Sequence, residues 1–164
     1  MTTEERVAKA VANFKAGYNC AQSVAMAFAD IYGISEEQMS WIAASFGAGM
    51  GRMREVCGTA SAMFLLCGLE THPKGMTYPS AELKRMNYAE VQELAGRFRE
   101  QTGSLICREL LGLNKLRADG KIPDTMTAPT PEARTDEYYK KRPCVRMVET
   151  AARIYGKYLE EKHV

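Results

Sequence analysis

Ser80-Ala81-Glu82-Leu83-Lys84-Arg85-Met86-Asn87-Tyr88-Ala89-Glu90-Val91-Gln92-Glu93-Leu94-Ala95-Gly96-Arg97-Phe98 carries Leu83, Met86, Val91, Leu94 and Phe98 on a three-and-four rhythm, with charged and polar residues between them. Such spacing lays a single apolar stripe along a helix, which must bury that stripe against other elements. Ser80 is the residue type that caps a helix start, and Thr102-Gly103-Ser104 offers a stop, so this stretch predicts the longest helix of the chain.

The same rhythm runs outward in both directions. Val7, Val11 and Phe14 mark a first helix that Gly17 interrupts, and Asn19 caps a second one carrying Val24, Met26, Ala27 and Phe28 up to Gly33. Ser35-Glu36-Glu37-Gln38 has the form of a capping box ahead of Met39, Trp41, Ile42 and Phe46. Gly47-Ala48-Gly49-Met50-Gly51 is too rich in glycine to stay helical and reads as a loop. Gly58 to Gly68 is small at its start and bulky at its end, which suits a buried helix whose first turn touches another backbone. After the break at His72-Pro73-Lys74-Gly75 and the long helix, a short helix holds Cys107 about three positions in and runs to Gly112. Residues 114–140, with Pro123, Pro129 and Pro131, predict a long irregular connection with room for short strands, of the kind that often covers a site. Pro143 suits the first position of a last helix, which places Cys144 in its first turn. No stretch alternates long enough to argue for a sheet. The expectation is an all-α, single-domain bundle of about six or seven helices.

Composition narrows the function classes. With 164 residues, 46% of them apolar, the chain has the material for one domain with a real core. Its 22 basic and 20 acidic residues give a net charge of +2 and are interleaved, so no nucleic-acid partner is expected. The opening Met1-Thr2-Thr3-Glu4-Glu5-Arg6 is charged, and no run approaches the roughly 18 apolar residues that span a bilayer. Cytoplasmic placement without membrane insertion is therefore expected. The ten methionines read as core filler, and the apolar composition would permit a homodimer.

Five cysteines remain to be explained. In a reducing compartment, an odd number of widely separated cysteines argues for redox chemistry, metal ligation or burial over a static disulfide framework. Cys20, Cys57, Cys107 and Cys144 each stand near the start of a helix, where free N–H groups and the helix dipole favour the thiolate. Cys67, beside Phe64, Leu65 and Leu66 and well inside its helix, reads as an ordinary buried residue. Arg52 and Arg54 precede Cys57, and Lys140-Lys141-Arg142 precede Cys144, so both neighbourhoods lean electropositive. Cys57 is on this ground the first choice of nucleophile, and the basic triplet otherwise reads as a solvated patch. His72 and His163 read as surface residues. The Gly47-x-Gly49-x-Gly51 pattern lacks the preceding strand and the spacing of a dinucleotide loop.

Three readings stay open on the residues alone. In the first, a thiol/disulfide oxidoreductase or electron-transfer protein meets a redox partner protein or a small thiol or disulfide substrate. In the second, four thiolates converge on zinc or an iron–sulfur cluster, although the wide spacing disfavours a zinc finger. In the third, a helical interaction module keeps its cysteines for structure.

Gly17-Tyr18-Asn19-Cys20-Ala21-Gln22-Ser23-Val24, the glycine loop running into Cys57-Gly58, then Cys107, then Cys144 ahead of a terminal helix together resemble the C_GCAxxG_C_C family, a redox-associated four-cysteine family with a CGAxxG motif. The resemblance covers most of the chain and implies one domain over residues 1–164. It makes Cys20, Cys57, Cys107 and Cys144 the signature cysteines, as catalytic residues or alternatively as metal ligands, and leaves Cys67 out. Under the metal reading, the glycine-rich approach to Cys57 would supply backbone N–H groups to the sulfurs, which makes Gly49, Gly51 and Gly58 the candidates for holding a cofactor. The middle motif departs from the pattern, reading Cys57-Gly58-Thr59-Ala60-Ser61-Ala62 where the family prefers Ala after the first Gly and Gly at the sixth position. The signature is also similar to a portion of the split-Soret cytochromes, which raises an iron–sulfur cluster; the chain has no Cys-x-x-Cys-His run for covalent haem.

Overall fold

The computed structural model of the chain describes residues 1–113, 118–120 and 124–164, and its described residues form an all-α fold without strands. The helices are α1 (Thr3–Lys15), α2 (Cys20–Met26), α3 (Glu36–Ala43), α4 (Gly58–Glu70), α5 (Ala81–Thr102), α6 (Cys107–Leu110), α7 (Asp124–Thr127), α8 (Asp136–Lys141) and α9 (Cys144–Lys162). Short 3₁₀ turns at Ala29–Tyr32 and Ala44–Phe46 complete the helical content among these residues.

The boundaries follow from capping chemistry. Thr2, Asn19 and Ser35 each accept from the backbone N–H three residues on, and the Glu or Gln at that position bonds back to the cap. Helix α5 is the 22-residue element expected, started by the Ser80 hydroxyl and ended by Gly103 in the left-handed region. The described part of the 114–140 stretch is less irregular than expected. Thr135 caps a further helix, α8, its hydroxyl accepting from Tyr138 N–H at 3.1 Å, and α7 adds a single turn. The six residues of α8 carry too little apolar periodicity to register as a helix in the sequence. Of the short strands allowed there, none forms among the described residues, and positions 114–117 and 121–123 lie outside them. Among the described residues the one β-type pairing is elsewhere, an isolated antiparallel bridge between Val56 and Ile106. Cys107 is the first residue of α6, closer to its helix start than the sequence reading placed it.

Antiparallel α1 and α9 form one long seam. Thr3 meets Gly156 and Glu160 near the start of α1 and the end of α9, and an added Cβ on Gly156 would come within 2.6 Å of the Thr3 hydroxyl. Short α2 lies in the middle, packed against α1, α3, α4 and α9. Ala21, Ala25, Ala27 and Ala29 are fully buried in and just after it, and these small side chains let four helices approach one short element closely. Phe14, Phe28, Phe98 and Tyr155 fill the larger spaces, with Phe28 and Tyr155 edge to face at 5.0 Å between centroids.

Arg6 fixes the far end of α2. Buried on α1, it donates to the Ala27 carbonyl at 2.7 Å and reaches both carboxylate oxygens of Asp30 at 2.7 and 3.0 Å. Arg6→Met keeps the aliphatic volume and removes those bonds. Charge-assisted hydrogen bonds of this kind contribute about 1.5–3 kcal/mol, and urea unfolding should show a loss in that range. A loss under about 0.5 kcal/mol, the scale of an ordinary surface substitution, would contradict the anchoring role.

Candidate functional site

The four cysteines near helix starts come from four separate elements and line one cavity of about 110 Å³. Cys67, fully buried on α4, does not line it, and all five thiols are free. Phe14, Leu110, Tyr138 and Met147 supply apolar wall. The 114–140 stretch contributes Pro131, Glu132, Arg134 and Tyr138, so its described part does cover the site.

Cys20 opens α2 and is half-buried. Its position is set by Asn19, whose side-chain amide also donates to the Ala44 carbonyl at 2.9 Å, and by Gln22, which donates to the Ser40 carbonyl at 2.9 Å. Both bonds tie the start of α2 to the end of α3. The Ala48 N–H donates to the Cys20 sulfur at 3.4 Å. Gly58, first residue of α4, faces the same sulfur, and a Cβ on it would fall 2.5 Å from Cys20 Sγ and 2.8 Å from the Phe46 carbonyl. Glycine is needed at this position for close approach.

Cys57 and Cys107 are joined by the Val56–Ile106 bridge. Cys57 N–H donates to the Leu105 carbonyl at 2.7 Å and Cys107 N–H to the Glu55 carbonyl at 2.6 Å, so two helix starts issue from one small patch of paired backbone. Gly49 packs behind this patch, where a Cβ would lie 2.6 Å from Cys107 Cβ. Gly58 lines the cavity, whereas Gly51 is exposed and its nearest neighbour for an added Cβ is the Ser45 carbonyl at 3.9 Å.

The choice of Cys57 as a low-pKa nucleophile is corrected by its burial. Desolvation drives its thiol pKa up from 9.0, the Cys20 charge adds to the rise, and bonds from Thr59 and the Ala60 N–H oppose it without prevailing. The helix-start effect is present and loses to the missing solvent. Cys107 is likewise raised by burial, against the pull of Arg54. Cys144, first residue of α9, is pushed up to about 12 by burial and then by the charges of Cys20 and Cys107. Cys67 is raised to about 11, again mainly by burial. Cys20 acts electrostatically on Cys57, Cys107 and Cys144 alike, which marks it as the hub of the group.

The positive side chains also differ from the sequence reading. Arg54 Nη1 donates to the sulfur of Cys107 at 3.8 Å, so this arginine serves Cys107 although it precedes Cys57 in the chain. Of the basic triplet, Arg142 lines the cavity with its side chain 19% exposed, while Lys141 is solvated as expected. Arg134, which the sequence did not single out, stacks over Phe14 at 4.3 Å and Tyr138 at 5.0 Å. The loop after Gly47 has an unusual backbone that no composition signal announces. Ala48, Met50, Arg52 and Arg54 all take left-handed φ values between 53° and 67°, in alternation with Gly49 and Gly51. Non-glycine residues held there cost about 1–3 kcal/mol each and persist only where surroundings over-determine them. Here the surroundings are Arg52 N–H to the Gly47 carbonyl, Glu55 N–H to the Gly49 carbonyl, and the two buried guanidinium groups.

The expected zinc or iron–sulfur ligation finds no assembled ligand set. Among the described residues, no group of three or more His, Cys, Asp or Glu side chains is arranged to hold a metal ion. The four sulfurs share a cavity without forming a coordination sphere.

An all-α domain with four cysteines converging on one cationic cavity is the class that fold and site define. Residues 18–158 match the family described as "Putative redox-active protein (C_GCAxxG_C_C)", and the chain belongs to that family. No curated protein and no solved structure matches the chain. No helix among the described residues is long and apolar enough to cross a membrane.

Two outcomes test this geometry. Gly58→Ala forces a methyl group against Cys20 Sγ and the Phe46 carbonyl, and overpacking of this kind costs about 1–3 kcal/mol. Urea unfolding should show that loss and alkylation mapped by mass spectrometry a changed Cys20 rate; an unchanged protein would contradict the close approach. The second concerns pH. A folded-state thiol pKa of about 12 against an ordinary 9.0 at Cys144 means the folded form holds the proton longer than the unfolded chain does. Its stabilising effect is complete below pH 9 and is lost as pH rises toward 12. Stability of Cys144→Ala should therefore fall less steeply across that range than that of the unaltered protein, and parallel slopes would refute the shift.

Proposed function

We propose that this protein is a thiol/disulfide redox protein in which Cys20 is the attacking nucleophile. The observation that carries the reading is the meeting of Cys20, Cys57, Cys107 and Cys144 at one cavity while Cys67 is packed away from it. A structural role alone gives no reason for this partition, since Cys67 shows how the fold buries a cysteine that does no chemistry.

The chemistry follows from exposure and contacts. Cys20 is half-buried, lines the cavity and has the Ala48 N–H donating to its sulfur, so it is the thiol to which this reading gives the first attack. Its thiolate attacks one sulfur of a substrate disulfide, a protein–substrate S–S bond forms, and the substrate S–S bond breaks to release a first thiolate. A second cysteine, with its proton passed to solvent or to the departing thiolate, then attacks the Cys20 sulfur and releases the second substrate thiolate. Two electrons leave the protein dithiol, which becomes an intramolecular disulfide, and the substrate disulfide becomes two thiols. Cys57 is the resolving residue this reading favours, because the Gly58 backbone beside it lies directly against Cys20 Sγ. The high pKa of Cys57 is compatible with that order of events: it stays protonated until the mixed disulfide forms, and so does not compete as first attacker.

Thiol titration after unfolding, before and after exposure of the native reduced protein to a small disulfide, tests the reading. Two thiols should be lost, Cys67 should be kept, and Cys20→Ser should stop the reaction short of an intramolecular disulfide. Five intact thiols after prolonged exposure would overturn it. So would one equivalent of iron or zinc in anaerobically purified protein that disappears in Cys20→Ser.

A further inference from the structure

The wall around the cysteines carries an unbalanced charge. Arg52, Arg54, Arg134 and Arg142 line the cavity, and among the described residues Glu132 is its only carboxylate. Arg52 and Arg54 are more than nine-tenths buried. Burying cations without matching anions is costly, so a site built this way is built for something negative.

The contacts of Glu132 show what shape of anion suits it. Both of its carboxylate oxygens accept from Arg142 Nη2, and Arg52 Nη2 stands 3.5 Å from Oε1. A carboxylate thus already sits between two guanidinium groups at the cavity, delivered by the covering segment. That segment is held by further bonds from the same loop, Arg52 donating to the Ala128 carbonyl and Arg54 to the Met126 carbonyl. Arg54 also reaches the Cys107 sulfur at 3.8 Å, while Arg134 donates to the Phe14 and Tyr18 carbonyls at 3.4 and 3.3 Å.

We propose that the cavity recognises small disulfides bearing carboxylate groups, with Arg52 and Arg142 as the carboxylate receptor and Glu132 as an internal occupant that the ligand displaces. The proposal rests on the thiol/disulfide reading and adds the substrate class to it. The thiols of Cys57, Cys107 and Cys144 do not fill the anionic role, because burial raises each of them above the ordinary thiol value. The redox step is the one already balanced: two protein thiols are oxidised to a disulfide, and the substrate S–S bond is reduced to two carboxylate-bearing thiols. Charge decides which disulfide is brought to Cys20.

The experiment compares three probe disulfides of similar size on the reduced full-length protein: anionic dithiodipropionate, neutral hydroxyethyl disulfide and cationic cystamine. Calorimetry with suberate, a dicarboxylate of the same length without sulfur, reads recognition apart from chemistry. Dithiodipropionate should oxidise the protein about tenfold or more faster than hydroxyethyl disulfide, the scale of one charge-assisted hydrogen bond, with cystamine slowest, and suberate should bind and protect. Arg142→Gln should lose most of that preference, the ratio of its rates with dithiodipropionate and hydroxyethyl disulfide falling toward one. Glu132→Gln, which removes the internal competitor, should bind suberate more tightly than the unaltered chain. A merely structural role for Glu132 would shift affinity the other way. Equal rates for the three probes with no suberate heat would overturn the proposal and leave thiol exchange intact. Suberate binding with no disulfide consuming thiols would overturn the substrate assignment together with the reading beneath it.

Discussion

Everything at the site depends on how closely α2 and α4 approach. The contact is the sulfur of Cys20 against the bare backbone of Gly58, too close for any side chain. It brings together the starts of two helices, and with them Cys20 and Cys57, residues that are 37 positions apart in the chain. The alanines of α2, the caps at Asn19 and Gln22 and the Arg6 clamp at its far end all hold that short helix at the needed depth. The Val56–Ile106 bridge then adds Cys107 to the same patch, and α9 lays Cys144 alongside.

A second consequence is electrostatic. Gathering thiols in a cavity drives their pKa values up, since burial penalises the thiolate and each thiolate repels the next. The protein opposes this with a ring of arginines, two of them presented by a run of left-handed backbone between Ala48 and Arg54. The result is asymmetric. Cys57 and Cys107 are buried with raised thiol pKa values, while Cys20 is half-buried.

The helical architecture was legible because its signals are local. Asn19 with Gln22, Ser35 with Gln38 and Ser80 with Gly103 announce helix ends by residue type, and the stripe from Leu83 to Phe98 announces the face that is buried. The separation of Cys67 from the other four cysteines was legible for the same reason. What the chain order hid was everything set by long-range packing. Arg54 stands three residues before Cys57 yet serves Cys107, because the bridge turns the loop over. Neighbouring positive charge suggested Cys57 as the acidic thiol, and only its depth in the folded protein reverses that. Glu132, Arg134 and Tyr138 reach the cavity from a segment whose sequence shows composition without periodicity.

The convergence of the cysteines is tested most directly by mapping where disulfides form when the native reduced protein is mildly oxidised, trapped by alkylation and digested for mass spectrometry. The account predicts that the cross-links join members of the set Cys20, Cys57, Cys107 and Cys144, with Cys20 to Cys57 foremost and Cys67 alkylated only after unfolding. Cross-links that involve Cys67, or a protein that forms none within the chain, would contradict it.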